Sequence, residues 1–514
     1  MSTGDAQDDS PSPIARLPPE ILADIFVRCV PVSIGRLQTD HSWLNIPKVC
    51  VLWRNVALTC PELWSTLPLG SLHTVIPVFL KRSKMAPLVI RADVRKVDRT
   101  FGMVYFQGLI KDNAERLGIL ELRSAQRHLT DFLSCLGSAG PAPRLQCLKI
   151  VNTTANNNGE GGMWLPHDFL LWSAVVDTRI QTRTELRLHL ECCAFPWHSA
   201  WYSHVTHLHL ENISALQRPM MEMLLTILLG SPTLQTFALI HCSPTTFDGF
   251  PVDLPHLSAL TVRGNSAATC AHLLRYLIIP PSATINISCN IKTLQDSDTL
   301  IVSLLSDFSR ASPAPYDTVR IIHKDGFAYS LFDSVRPWWF RRFRIEGKSC
   351  QPYDALCDAT RVLVDTLDFA GITTLHLHGM QGALPPAQPQ PDWRRPITAR
   401  MWVALGRRLN SVRTLHLHKT VPAEWLDFLL TQAMFVLGVT HWNYGPYELA
   451  VRAPDGISLT HAWAGLQRLC LHSLDLGEIS PSPLEPLPVT RADLLRALLW
   501  ARREGGGEDL ATRD

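Results

Sequence analysis

The spacing of apolar residues constrains the fold of this chain more than any other feature. A pattern of apolar-x-x-apolar-x-apolar-x-x-small or apolar recurs from residue 117 onward and is complete at Leu234-Gln-Thr-Phe-Ala-Leu-Ile-His-Cys242. Further copies begin at Leu117, Leu145, Val205, Leu257, Ile372, Val412 and Leu466, and weaker ones contain Leu188/Leu190, Ile285/Ile287, Val319/Ile321 and Phe343/Ile345. The alternating apolar core of each copy predicts a short strand with one buried face. Apolar stretches between the strands predict helices over residues 220–229, 300–308, 402–409 and 425–430.

A strand and a helix in each unit, with the strands side by side, resemble a leucine-rich repeat. The resemblance implies an irregular α/β solenoid, or horseshoe, over residues 68–500, because each repeat buries its apolar face against its neighbours. The spacing is uneven, since Val205, Leu234 and Leu257 are 29 and 23 residues apart whereas Ile372, Val412 and Leu466 are 40 and 54 apart. An irregular α/β domain with ordinary core strands is the alternative.

Segments rich in proline, asparagine and glycine interrupt the pattern. They predict loop insertions near residues 152–162, 381–396 and 476–488. We also expect a disordered start over residues 1–13 and a flexible tail over residues 501–514.

Residues 14–67, the N-terminal module, have a different pattern. Pro18 and Pro19 suit a first helical turn, and the helix should end at Pro31. A second helix is predicted from about Pro47, with one apolar side, and Pro61 should end it before a short third turn. The apolar side of the second helix contains Val49, Cys50, Trp53, Val56 and Ala57. Three short helices cannot bury this much apolar surface among themselves, so part of it should face a partner.

The module resembles the F-box, in the version common in mushroom-forming fungi. The resemblance lies in Leu17-Pro-Pro-Glu-Ile-Leu-Ala-Asp-Ile-Phe26, Val49-Cys-Val-Leu-Trp-Arg54 and Pro61-Glu-Leu-Trp64, in that order, and the loop over residues 30–43 is longer than the family's. It implies docking on a Skp-type adaptor that is attached to a cullin in a ubiquitin ligase. The residues that the resemblance places at the adaptor are Leu17, Pro18, Ile21, Leu22, Ile25, Phe26, Val49, Cys50, Trp53, Leu63 and Trp64, some of which must pack the module itself. A helical cap on a repeat array is the alternative.

Three His-x-His pairs alternate with core leucines. Residues two apart on a strand share a face, so the histidines should lie opposite the leucines and face a protein substrate. These histidines are His207, His209, His376, His378, His416 and His418. A metal-dependent hydrolase would use such pairs as zinc ligands, but their place among core leucines favours a binding surface, and no metal site is assigned.

The remaining features exclude several function classes. The net charge of +2 requires neither nucleic acid nor an anionic membrane, and residues 336–344, which mix arginine and aromatic residues, alternate like a half-exposed strand. The sequence has no signal-peptide pattern, no membrane-spanning run and 13 scattered cysteines, which predicts reduced thiols in the cytoplasm or nucleus. No phosphate-binding loop, nucleophile elbow or zinc-protease motif is present, so we expect neither catalysis nor a cofactor.

The predicted function is therefore that of the substrate-recognition subunit of a Skp-cullin-F-box type ubiquitin ligase. The alternative is a leucine-rich-repeat scaffold without ligase engagement.

Overall fold

The structure is a computed structural model, and it divides the chain into two compact units, Met1–Thr236 and Phe237–Asp514. It describes residues 13–30, 42–69, 73–135, 142–154, 163–165, 185–202, 205–246, 248–280, 282–291, 318–324, 326–332, 341–349, 371–378, 411–418, 441–444, 447–450 and 468–472. Beyond residue 288, side chains are described only at 371–376, 411–414 and 416. Most of the predicted loop insertions, both predicted chain ends and the predicted helices beyond residue 291 lie outside the described residues.

The described part of the chain contains both helices and strands. The helices are α1 (Pro19–Cys29), α2 (Ile46–Val49), α3 (Val51–Thr59), α4 (Ile76–Ser83), α5 (Val94–Phe101), α6 (Met103–Asp112), α7 (Gln126–Cys135), α8 (Met221–Leu229) and α9 (Ala267–Tyr276). The first ten strands are β1 (Leu88–Asp93), β2 (Leu117–Ser124), β3 (Cys147–Asn152), β4 (Met163–Trp164), β5 (Arg187–Glu191), β6 (Cys193–Ala194), β7 (His207–Glu211), β8 (Thr236–Ile240), β9 (Val252–Asp253) and β10 (Ala259–Ser266). They are followed by β11 (Leu277–Ile278), β12 (Thr284–Ile291), β13 (Thr318–Lys324), β14 (Gly326–Phe332), β15 (Arg341–Ser349), β16 (Thr374–His378), β17 (Thr414–His418), β18 (His441–Tyr444), β19 (Tyr447–Ala450) and β20 (Arg468–His472). Short 3-10 helices span Pro13–Arg16, Ser42–Asn45, Pro61–Trp64, His73–Val75, Ala114–Arg116, Ala200–Tyr202 and Ala215–Gln217.

The sheet of the first unit is parallel and follows the order of the chain. Its strands are arranged β1-β2-β3-β5-β7, and each pairs with the next in parallel. Helices α5 and α6 connect β1 to β2, and α7 lies between β2 and β3. Parallel neighbours need such crossover connections, because the chain must return to the same end of the sheet. The fold class is therefore α/β.

Burial alternates along the strands as the apolar spacing predicts. In β7, Leu208 and Leu210 are buried, whereas His207, His209 and Glu211 are only half-buried. The same alternation occurs in β1 and β5. Leu239, Leu260 and Leu375, which the same register places inside, are also buried, while the side chain of Leu415 is not described.

The last position of the repeated pattern binds the neighbouring strand. The Asn265 amide donates to the Leu239 carbonyl at 3.2 Å and accepts from the Cys242 backbone N–H at 3.0 Å. The Cys193 thiol, at the same position of the weaker copy, donates to the Ile150 carbonyl at 3.5 Å. Both side chains are buried. A small polar side chain is favourable here because it satisfies backbone groups where the ladder of strand hydrogen bonds ends.

In the N-terminal module the second predicted helix is broken in two, so the prediction of one continuous apolar side was wrong. Cys50 is extended, with φ −156° and ψ 174°, and separates α2 from α3. Its sulfur accepts from the Trp53 backbone N–H at 3.4 Å and so caps α3. Val56 and Ala57 are buried, but the rotation introduced at Cys50 leaves Val49 exposed.

The core of the module extends beyond residue 67. Trp43, Trp64 and Phe79 form a cluster of edge-to-face rings, with centroids 5.1–5.8 Å apart, and Phe79 belongs to α4. The Leu67 backbone N–H donates to the carbonyl of Val89 in β1 at 3.1 Å. The module is therefore packed against the first strand of the sheet.

The sheet of the second unit begins and ends with parallel strands but contains an antiparallel portion. The order is β8-β10-β12-β15-β14-β13-β16-β17-β20, and β14 pairs antiparallel with both β13 and β15. The apolar spacing predicts β13 and β15 but not β14. Phe327, Tyr329 and Leu331 alternate without the leading apolar-x-x-apolar step, so a search for the repeat passes over them.

No helix in the described part of the chain is long and apolar enough to cross a membrane.

Candidate functional site on the polar face of the first sheet

The half-buried positions of the first sheet form a surface that we call the polar face. Because the strands are parallel and in register, its residues lie in rows that run from strand to strand. The first row contains Val89, Ile119, Cys147, Arg187 and His207, the second Arg91, Glu121, Lys149, His189 and His209, and the third Asp93, Arg123, Val151, Glu191 and Glu211. Val151 is buried, whereas the others are half-buried or exposed.

The second row begins with alternating charges. Arg91 Nε lies 3.1 Å from Glu121 Oε1, and both side chains are less than a fifth exposed. The guanidinium N–H is not aligned as a hydrogen-bond donor, so the contact is an ion pair without a hydrogen bond at Nε. Lys149 is the next residue in the row and brings a second positive charge beside Glu121. Opposite charges on neighbouring strands stabilise this register.

Two stacked histidines complete the second row. The rings of His189 and His209 have centroids 3.9 Å apart and planes within 8° of parallel. His209 Nε2 is hydrogen-bonded to Glu211 Oε2 at 2.9 Å, with both side chains about 30% exposed. His189 Nε2 is buried and has no hydrogen-bond partner among the described residues. We call His189, His209 and Glu211 the histidine–glutamate cluster.

The environment fixes the protonation states of two members of the cluster, His189 and Glu211. Burial, together with the nearby His209 and Lys149, lowers the pKa of His189 to about 3. The hydrogen bond from His209 lowers the pKa of Glu211. At neutral pH the ring of His189 is therefore uncharged, and the Glu211 carboxylate is ionised.

Other groups of the polar face are also shifted. Burial, followed by the charge of Glu211, raises the pKa of Glu191. Burial raises the pKa of the Cys147 thiol to about 11, so it is not a thiolate at neutral pH. Burial lowers the pKa of His207, which keeps this histidine from acting as a cation near neutrality.

The cluster has the geometry of a possible metal site. Its three residues each offer one ligand atom, and these atoms lie within 4.8 Å of one another. The sequence pattern identified only His209 of these three. The missed signal is the repetition of Leu-His-Leu-Glu at residues 188–191 and 208–211, which becomes informative once the two strands are known to be neighbours.

In the second unit, His376 and His416 are also stacked, with centroids 4.1 Å apart and planes 8° from parallel. They lie on β16 and β17, which pair in register. The backbones of His378, His418 and His472 occupy one row of the same strands, but their side chains are outside the described part. The structure thus aligns four of the histidines predicted to face a substrate, whereas His207 and His209 lie on β7.

Comparison with protein-family models and with curated proteins gives no match for this chain. The geometry of the chain itself must therefore carry the functional argument.

A second surface is found on the N-terminal module, where the predicted adaptor-facing residues divide into three groups by burial. Leu22, Phe26, Leu63 and Trp64 are buried and form the core of the module, so they cannot contact an adaptor while the module is folded. Leu17 and Trp53 are half-buried, and Phe26 packs on Trp53 with ring centroids 5.0 Å apart. The exposed members are Pro18, Ile21, Ile25, Val49 and Cys50.

Exposed aliphatic side chains are frequent on this module. Val51, Leu52, Leu58 and Ile14 join the exposed isoleucines and Val49, with exposures from 36% for Leu52 to 68% for Val51. Ile21 and Ile25 are four residues apart on α1 and share one side of that helix. We call these seven aliphatic residues, between Ile14 and Leu58, the module surface.

Proposed function

We propose that this chain is the substrate-recognition subunit of a Skp-cullin-F-box type ubiquitin ligase. The N-terminal module binds the Skp-type adaptor, and the repeats bind a protein substrate. The chain contributes no catalytic residue; it holds substrate lysines near the ubiquitin carrier and so raises their effective concentration.

The module surface is the observation that carries this proposal. A module whose core is already filled by Leu22, Phe26, Leu63 and Trp64 still exposes seven large aliphatic side chains. Ile21 and Ile25 are neighbours on α1, and contiguous apolar exposure is typical of protein-binding sites. The order of the three F-box-like motifs favours an adaptor as the partner of this surface.

The architecture of the repeats supports the second half of the proposal. Consecutive strands of the first sheet pair in parallel, and Asn265 and Cys193 bind the neighbouring strand from the end of the repeated pattern. Parallel strands in register support the resemblance to leucine-rich repeats, in which strand positions opposite the leucines form a binding surface. The polar face presents charges of both signs and three histidines there, which suits a polar protein segment.

Adaptor binding is the decisive test. The full chain is co-produced with a Skp-type adaptor, and their affinity is measured by calorimetry. Ile21→Ala with Ile25→Ala should weaken binding by at least about thirtyfold, because truncating an interface hot spot costs about 2 kcal/mol or more. Leu17→Ala with Pro18→Ala, at the start of α1, should also weaken binding.

A matched control comes from another exposed apolar pair. Leu216 and Leu229 are 94% and 57% exposed and lie outside the module. Leu216→Ala with Leu229→Ala removes as much exposed apolar surface and should leave adaptor affinity unchanged. If the unaltered chain does not bind the adaptor, the ligase function is rejected, and a repeat scaffold without ligase engagement takes its place.

A further inference from the structure

One buried nitrogen atom on the polar face is unexplained by the protein's own contacts. His189 Nε2 is shielded from solvent and has no hydrogen-bond partner among the residues that the structure describes. Buried polar atoms are nearly always partnered, and an orphan calls for a bound water or ion. Since the neighbouring atoms are the His209 ring and the Glu211 carboxylate, the surroundings are those of a metal ligand set.

We propose that His189, His209 and Glu211 bind a divalent zinc ion on the polar face. Their ligand atoms lie within 4.8 Å of one another. Two imidazoles and one carboxylate are a known ligand set for zinc, and three protein ligands leave a fourth position for water or for the side chain of a partner. This site goes beyond the proposed ligase function and does not depend on it.

Coordination would require side-chain rotations within the cluster. A tetrahedral zinc ion with bonds of about 2.0–2.1 Å separates its ligand atoms by about 3.3 Å. The present distance of 2.9 Å between His209 Nε2 and Glu211 Oε2 is that of a hydrogen bond. Zinc would take the place of the shared proton, and His209 would carry its remaining proton on Nδ1. The two rings would turn out of their parallel stack, because a coordinated ion lies near the plane of each imidazole ring.

The surrounding charges are compatible with a cation. His189 remains neutral at physiological pH and Glu211 ionised, which are the protonation states that metal binding requires. Glu191 faces Glu211 across the strand pair and contributes a second carboxyl group. The positive charge of Lys149, on the neighbouring strand, repels a cation at this site. Long-range attraction alone therefore does not hold the ion, and binding depends on the bonds from the three ligand atoms.

The test uses the full chain after removal of metals with a chelator. Zinc is titrated by calorimetry, and cobalt is added separately as a spectroscopic probe of coordination geometry. His189→Phe, which keeps a ring in the stack, and Glu211→Gln should each remove one equivalent of bound zinc. In both variants the tetrahedral cobalt spectrum should also disappear.

His207→Phe is the matched control, because His207 lies on the same strand and face as His209 but outside the cluster. It should bind zinc as the unaltered chain does. Circular dichroism establishes that each variant is folded, and Glu211→Gln decides the matter if His189→Phe does not fold. An unaltered chain without micromolar or tighter zinc binding, or the same zinc stoichiometry in a folded Glu211→Gln variant, would overturn the proposal.

Discussion

The two stacked histidine pairs have nearly the same geometry but different chemical neighbours. His189 and His209 have ring centroids 3.9 Å apart, and His376 and His416 have centroids 4.1 Å apart; both pairs are within 8° of parallel. In the first pair the residue two positions after His209 is Glu211, which hydrogen-bonds to it. In the second pair the residue two positions after His416 is another histidine. The register of the paired strands places histidine beside histidine in both cases. The residue two positions further along the strand then determines whether a carboxylate lies next to the pair.

The largest expected effect tests whether the leucine before each histidine pair is buried in a core. Leu208 precedes His209, Leu375 precedes His376, and both leucines are buried. Leu208→Ala and Leu375→Ala should each lower the free energy of unfolding by about 2–5 kcal/mol, because each leaves a cavity. Urea unfolding followed by circular dichroism measures this. A change below about 1 kcal/mol for either variant would contradict the assigned register.

A smaller effect is expected when the hydrogen bond between His209 and Glu211, which distinguishes the first pair, is weakened. Glu211→Gln should lower the free energy of unfolding by about 1 kcal/mol, because a charged hydrogen-bond partner is lost at a partly exposed position. The control is Glu185→Gln, whose partner Arg187 lies at 3.5 Å with both side chains more than half exposed. Because that ion pair is exposed, Glu185→Gln should lower the free energy of unfolding by less than about 0.5 kcal/mol in the same urea measurement. Equal effects from the two substitutions would contradict a special role for Glu211.

The next prediction concerns the pH dependence of the free energy of unfolding that His189 causes, which is seen only on acidification. His189, which faces Lys149, His209 and Glu211, has its pKa lowered to about 3 in the folded chain, whereas an unfolded histidine titrates near about 6.5. The unfolded chain therefore binds a proton first, and the free energy of unfolding should fall as the pH drops from about 6.5 towards 3. His189→Phe, in the presence of a chelator, should reduce this slope in urea unfolding at a series of pH values. An unchanged slope would mean that other groups dominate it.

The smallest effect concerns the second pair. His376 is half-buried and lies opposite the core, so His376→Ala should change the free energy of unfolding by no more than about 0.5 kcal/mol. Thermal and urea unfolding both measure this. A loss as large as that of Leu375→Ala would place the histidine, and not the leucine, in the core.

The positions of the strands were largely predictable from local spacing, whereas the candidate metal site was not. Apolar residues at alternate positions predict a strand wherever one face is buried, and β7, β10, β16 and β17 all follow that rule. His189 and Glu211 come from different strands, so only their pairing brings the two side chains together. Cys50 was missed as a helix break for a related reason, since its role as a cap depends on one sulfur contact to the Trp53 backbone.

The sequence by itself determined the α/β class, because apolar helical stretches separate the strand-like segments. It also determined which side of strands such as β5 and β7 faces the core, because this follows from the two-residue periodicity of apolar side chains. Tertiary structure decided which strands are neighbours, including the antiparallel β14 between β13 and β15. It also decided which apolar residues of the N-terminal module are buried and which remain on its surface. Such outcomes depend on contacts between residues far apart in the chain, and the periodicity of a single segment contains no information about its partner.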